Sequence, residues 1–180
     1  GSVGMPSPFT EGKVMTAEGR EAAPDEIGEL WVRGPNVTPG YWNKPAETVA
    51  AFEGEWLKTG DSARKDADGF YYIVDRTKDM FISGGENVYP VEIEAVLTEM
   101  PEVLDCAVIG VPDQKWGEVG AALILLKDGK DSLTAEEVIS FVKSRLASFK
   151  APKHVRFVDD LPRTPSGKVQ KHKLRDAWTA

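Results

Sequence analysis

The 180-residue sequence contains a single cysteine, Cys106. An intrachain disulfide is therefore excluded, and with it the disulfide-stapled class of small secreted scaffolds. The only histidines, His154 and His172, share no metal-ligand spacing with each other or with Cys106, so no metal site is expected. No apolar run approaches the roughly 20 residues that a membrane-spanning helix needs, and no membrane span is expected. The opening segment GSVGMPSPFT lacks the basic and then apolar regions of a secretory leader, which makes the cytoplasm the expected location. Internal repeats and low-complexity tracts are missing as well. What is present, 41% hydrophobic and 28% charged residues, suffices for one domain with a full core or for two small ones.

Positive charge is scarce overall, with 22 basic against 29 acidic residues and a net charge of −7. It is also concentrated. Between Lys150 and Arg175 stand Lys150, Lys153, Arg156, Arg163, Lys168, Lys171, Lys173 and Arg175, opposed only by Asp159 and Asp160. A solvated basic face is the plain reading of such a stretch. The sharper one is a polyanionic ligand such as a nucleotide or CoA. Nucleic acid is not expected, because the strongly acidic remainder would repel it.

The residue pattern divides the chain into two styles. Up to about Asp75 it reads as short strands and turns: IGELWVRG (Ile27 to Gly34) and FYYIVDR (Phe70 to Arg76) as strands, WLKTGD as a strand ending in a turn, GPNVTPGYW as loop. PAETVAAF (Pro45 to Phe52) reads as a short helix with proline in its first turn. This half suits a β-rich, barrel-like subdomain. Beyond about Lys78 the pattern becomes α+β. MFISGGEN reads as a strand running into a glycine turn. YPVEIEAVLTEM reads as an amphipathic helix. VLDCAVIGV, EVGAALILL and HVRFVDD read as three strands of one sheet. TAEEVISFVKSRL reads as a helix whose Thr134 and Glu137 form a capping box.

Several short motifs invite chemistry. SGK (Ser166 to Lys168) is no P-loop, since Pro162 occupies the place of the first glycine and Val169 that of the magnesium-binding hydroxyl. It still carries a long cationic side chain on a loop that Pro162 and Pro165 stiffen and Gly167 frees, fit to meet a phosphate or carboxylate oxygen. TGD places an exposed Asp61 carboxylate at a strand end, either as a turn cap or as an acceptor for paired ribose hydroxyls. Gly84 and Gly85 would form a hairpin turn, or let backbone approach a ligand. Trp116 sits in a polar loop, as a core cap or a stacking surface. Cys106, among apolar neighbours, is expected to be a buried structural thiol.

In order along the chain, GELWVRGPNVTPGYWNKPAET, WLKTGD, GFYYIVDRTKDMFISGGENVYPVEIE, VIGVPDQKWGE and LPRTPSGKVQK resemble the C-terminal part of the acyl-adenylate-forming superfamily. That family includes acyl-CoA synthetases, adenylation domains of nonribosomal peptide synthetases and firefly luciferase. The resemblance covers nearly the whole chain, and ISGGENVYPVEIE is more similar to the CoA ligases than to the peptide-synthetase domains. It implies an α+β fold: a β-rich distorted-barrel subdomain over 1–75, belonging to a larger N-terminal domain, then a mobile small domain over 76–180 with a three-stranded sheet and flanking helices. It implies Lys168 as the catalytic lysine, meeting a carboxylic acid substrate and the α-phosphate of ATP. Asp61 and Arg76 would bind the nucleotide, and Lys78 would be the hinge. Gly84, Gly85, Trp116, Phe149 and Lys153 would line the CoA pantetheine tunnel. Ala151 stands where one related pattern has arginine, which implies different CoA phosphate contacts.

The phosphate loop, the glutamate motif for Mg2+ and the acyl pocket of that family lie upstream of everything in this sequence. A fragment of an ATP-dependent acyl-CoA ligase is therefore expected, inactive alone, with the missing N-terminal domain of the same chain as its partner. Apolar surface left bare by that partner makes self-association a further expectation. An adenylation domain loading a carrier protein, and a non-catalytic binding module, stay open as alternatives. The acid, fatty or aryl, is not named by these residues.

Overall fold

The computed structural model describes residues 1–129 and 132–179. The chain separates into two compact units, Gly1–Lys78 and Asp79–Ala180.

The first unit is built on a five-stranded antiparallel sheet of β1 (Glu11–Met15), β2 (Gly28–Arg33), β3 (Phe52–Glu53), β4 (Trp56–Lys65) and β5 (Tyr71–Arg76). β4 is central, pairing with β2, β3 and β5. The one helix, α1 (Pro45–Ala51), starts at the proline, where a missing N–H costs nothing. Its core is small: Val14, Ala63 and Tyr71, with Ala22 and Leu30 against them. Tyr71 reaches across the sheet to donate its hydroxyl to the Gly12 carbonyl at 2.5 Å. The strand expected to end at WLKTGD instead runs on to Lys65. Both edges of β4 explain this: its register shifts against β2 between Glu29 and Trp31, and against β5 between Ser62 and Ala63. The turn-like TGD is thus a bulge inside a strand, which bends the strand and re-aims a side chain without breaking the ladder.

The second unit begins with the hairpin β6 (Phe81–Ser83) and β7 (Glu86–Val88), followed by α2 (Pro90–Leu97), β8 (Val103–Asp113), β9 (Gly117–Leu126), α3 (Ala135–Lys143), a 3-10 turn (Ser148–Lys150), β10 (His154–Phe157) and α4 (Lys171–Thr179). The three expected strands are present as β8, β9 and β10, with β8 antiparallel and β10 parallel to β9. The sheet is wider than the three strands expected, because the β6–β7 hairpin joins β9 through Ser83 and Gly117. α3 has the capping box read from the sequence: Thr134 Oγ1 accepts from the Glu137 amide, and the Glu137 carboxylate accepts from the Thr134 amide.

β8 and β9 are near-continuous apolar runs because both faces of their sheet are covered. Cys106, Val108, Ala122 and Ile124 point to one side, into a core closed by α2 and α3 through Ile93, Leu97, Val138 and Val142. Ala107, Ile109, Val111, Val119, Ala121 and Leu123 point to the other, under Leu161 and Leu174 of the C-terminal segment. Cys106 is 6% exposed, and burial pushes its thiol up to about 12. It is a structural residue, as its apolar neighbourhood indicates.

Candidate active-site surfaces

In the first unit the bulge brings two expected residues together. Asp61 and Arg76 are direct cross-strand partners on β4 and β5, and Arg76 Nε forms an ion pair with Asp61 Oδ1 at 2.9 Å. The Asp61 side chain is 30% exposed, so it is a half-buried, charge-paired carboxylate rather than the exposed strand-end carboxylate expected from TGD. One of its oxygens is engaged by Arg76, which leaves the carboxylate with acceptor capacity for hydroxyl groups. Next to it, Gly60 adopts φ +72°, its amide donates to Glu29 at 3.0 Å, and its carbonyl accepts from Thr77 at 2.9 Å. Thr77 is thereby fastened to the first unit. Asp79, two residues on, is ion-paired to Arg175 of α4 at 2.8 Å and belongs to the second. Lys78 is the exposed residue between these two fastened positions.

In the second unit Gly84 and Gly85 are the two central residues of the β6–β7 turn, at φ +60° and +89°. Two successive positive φ values are the mark of a type I′ hairpin turn, which L-residues with a Cβ adopt poorly. Gly84 has a second constraint, since a Cβ there would lie 2.8 Å from the Trp116 ring. The Gly84 amide donates to the Trp116 carbonyl at 2.9 Å. The indole therefore lies on the glycine turn and remains 41% exposed, so it serves as a surface and not as a core cap. Together with Ser83, Lys143, Ser148, Phe149 and Lys153 it lines a cleft of about 180 Å³. Two aromatic faces and two lysines suit a ligand that combines a stackable ring with phosphate. Gly85 stands at the open tip of the turn, with no atom near its Cβ position. Ala151 is 3% exposed beneath this region, too buried to hold a solvated arginine in this chain. No motif marks Lys143. Its only sequence signal is its place in the last turn of a capped helix.

Lys168 lies elsewhere in the same unit, exposed on a hairpin turn. The loop is more constrained than its glycine suggests. The Thr164 amide donates to the Lys168 carbonyl at 2.8 Å, the Gly167 amide to the Thr164 carbonyl at 2.8 Å, and the Lys168 amide to Thr164 Oγ1 at 3.1 Å. Gly167, at φ +86°, closes this turn and does not loosen it. Half of the basic stretch around it is neutralised. Lys150 pairs with Glu92, Arg163 with Asp105, Lys171 with Glu94 and Arg175 with Asp79, while Arg156 stacks on Trp178. Lys153, Arg156, Lys168 and Lys173 have no ion pair among the described residues. The uncompensated charge is thus narrowed to four side chains, of which Lys153 and Lys168 are at the expected positions.

The two surfaces occupy opposite ends of the β8–β9 hairpin. The Lys168 turn is tied to Asp105, near the start of β8, and Trp116 lies in the turn beyond Asp113 at its end. Asp105 and Asp113 are separated by about 26 Å of extended strand. Among the described residues no group of three His, Cys, Asp or Glu side chains could hold a metal ion, and no helix is long and apolar enough to cross a membrane.

Residues 92–168 match the AMP-binding enzyme C-terminal domain, and residues 1–42 match the AMP-binding enzyme family. A feruloyl-CoA synthase from an Amycolatopsis species is 47% identical over 175 residues, covering 97% of this chain and 35% of that protein. A long-chain-fatty-acid–CoA ligase from Bacillus subtilis is 45% identical, covering 99% and 32%. Among solved structures, the o-succinylbenzoate CoA synthetase of Bacillus subtilis in complex with its acyl-adenylate intermediate superposes with a TM-score of 0.91 at 41% identity, covering 98% of this chain and 36% of that one. The chain spans about a third of the length of the curated relatives it matches.

Proposed function

The chain belongs to the acyl-adenylate-forming family of AMP-binding enzymes, and from that premise we propose that it is part of an ATP-dependent acyl-CoA ligase. Residues 1–75 would complete the larger domain, and 76–180 would form the mobile one. The observation that carries this reading is the separation of the two surfaces. The Lys168 turn and the Gly84–Trp116 cleft are at opposite ends of one β-hairpin, so a single docking pose cannot present both to one reacting centre. A protein that needs both surfaces must turn this unit between two steps.

In the first step a carboxylate oxygen of the acid attacks the α-phosphorus of ATP. The bond to the bridging oxygen breaks and pyrophosphate leaves. Lys168 touches the carboxylate and an α-phosphate oxygen, offsetting the negative charge they bring together. Asp61 accepts hydrogen bonds from the ribose hydroxyls, held in orientation by Arg76. Rotation about Lys78, the residue between the two fastened positions, then withdraws Lys168 and brings up the glycine turn. In the second step the CoA thiol attacks the acyl carbonyl, the bond from that carbon to the phosphate oxygen breaks, AMP leaves, and the thiol proton passes to solvent. Trp116, Phe149 and Lys153 hold the CoA chain, with Gly84 admitting the Trp116 ring against the turn and Gly85 leaving room for pantetheine at its tip. Mg2+ finds no ligand set among the described residues.

The test is made on the full-length parent with ATP, CoA and a panel of aliphatic and aromatic acids. Thioester should form with one class of acid. Lys168→Ala should lower adenylation by about 10²–10³, the loss typical of a charge-stabilising donor, and leave thioester formation from supplied acyl-AMP within twofold. Equal loss of both steps would remove Lys168 from the chemistry. Pyrophosphate exchange without any thioester would move the reading to another acceptor, such as a carrier protein. The 180-residue chain alone should form no thioester.

A further inference from the structure

The residues around Lys168 carry an inference about how that lysine is aimed. We propose that Arg163 and Asp105 are positioning residues for Lys168, a clamp between the sheet and the turn. The inference rests on the assignment of Lys168 to adenylation.

The chain of contacts starts with a strand irregularity. The β8–β9 register runs Val103↔Leu126 and then Asp105↔Leu125, so Leu104 is an extra residue, 59% exposed. Such a bulge re-aims the following side chain. The Asp105 carboxylate is fixed at one oxygen by the amide of Cys106, at 2.8 Å, and offers the other to the Arg163 guanidinium. Arg163 has donors to spare, and a second one reaches the Gly167 carbonyl at 2.9 Å. One planar fork thus joins the buried strand to the peptide immediately before Lys168. Arg163 is also backbone-paired with Val169 across the hairpin, so its main chain and side chain hold the same turn from two directions.

A second tie lies on the other flank. Lys171 Nζ meets Glu94 of α2 at 2.7 Å, with both side chains under a fifth exposed, and the same carboxylate accepts the Val108 amide at 2.7 Å. The segment 163–171 is therefore pinned at both ends to elements of the core, and Lys168 projects from between the pins. A side chain with four rotatable bonds gains little from a rigid base unless its ammonium must arrive at one place, as it must for two oxygens in a short-lived transition state. The bidentate geometry predicts that lysine will not replace Arg163, because a single ammonium cannot reach carbonyl and carboxylate in the same fashion.

The clamp is tested by two readouts. In the 180-residue chain, Arg163→Met should lower the backbone NMR order parameters of Gly167 and Lys168 without changing those of β8 beyond Asp105. In the full-length parent, Arg163→Met and Asp105→Asn should each cut pyrophosphate exchange by about tenfold to a hundredfold, as misplacement of a reacting group does, with thioester formation from supplied acyl-AMP unchanged. The double variant should be no worse than the poorer single one, and Arg163→Lys should rescue little. Arg145→Ala, which breaks a comparable surface pair with Glu99, should leave both half-reactions intact. Unchanged order parameters overturn the clamp whatever the chemistry. Ordered loss in NMR with equal loss of both half-reactions assigns the pair to general stability and overturns the positioning role. A parent that performs no adenylation with any acid refutes the proposed function, and the NMR result then decides the clamp by itself.

Discussion

The two units, Gly1–Lys78 and Asp79–Ala180, solve the problem of burial differently. The second unit covers its central hairpin on both faces and encloses Ile93, Leu97, Ile109, Ile124, Leu161, Val138 and Val142 almost completely. The first has three buried hydrophobic side chains and leaves Val3, Met5, Phe9, Tyr41, Trp42 and Val49 more than half exposed. Its sheet is held instead by edge-to-edge pairing and by surface contacts. Lys13 stands 4.3 Å over Trp56 and 5.0 Å over Trp31, and Arg33 stacks on the same Trp56. Contacts of that kind contribute about 0.5–1 kcal/mol each at exposed sites. Burying one large aliphatic side chain contributes about 1.5–3 kcal/mol. A unit built chiefly on the former needs a neighbour to cover it, and one built on the latter does not.

Excision would test this contrast most severely. A chain limited to residues 79–180 should unfold in one cooperative transition, whereas residues 1–78 alone should show no cooperative melting by circular dichroism. Cooperative unfolding of both pieces would refute the contrast. Within the intact chain, Ile124→Ala should cost about 2–5 kcal/mol, since the site is fully enclosed. Cys106 offers a local readout of that change. With its thiol pushed up to about 12 by burial, it should ignore thiol reagents near neutral pH and react as the second unit opens. The sign follows: the folded unit holds the thiol proton more tightly than the unfolded chain, so Cys106 takes away stability as pH rises above its ordinary value near 9.

A smaller effect is expected in the first unit. Tyr71→Phe removes the hydroxyl bond to Gly12 and should cost about 1 kcal/mol, the net value of such a bond. The same order applies to Thr134→Ala, which opens the α3 capping box at a cost of about 0.5–2 kcal/mol. The Glu137 carboxyl of that box is held below its usual range by hydrogen bonds from the Thr134 amide and hydroxyl. Its contribution is present above the ordinary carboxylate range and is lost as pH falls through the lowered value. Thermal melts at pH 7 and pH 3 should therefore show a narrower gap between Thr134→Ala and the parent chain at the lower pH.

Elements with a local physical cause were legible in the residues. The helix of α3 follows from Thr134 and Glu137 at the capping interval, α1 and α2 from prolines at their first turns, and the β6–β7 turn from paired glycines. The uninterrupted apolar runs of β8 and β9 announced strands, and the ordered motifs announced the family. Tertiary structure alone decided what depends on partners far away in sequence. It made TGD a bulge and not a strand end, since β2 and β5 continue the ladder beyond it. It widened the second sheet through the single pairing of Ser83 with Gly117. Of the eight cations in the basic stretch, it paired four with carboxylates as distant as Asp79 and Glu92 and left Lys168 without an ion pair on a pinned turn. A capping box or a glycine turn closes within a few residues, so its energy is written locally. A bulge, a sheet edge and an ion pair across ninety residues acquire their energy only once the intervening chain has folded.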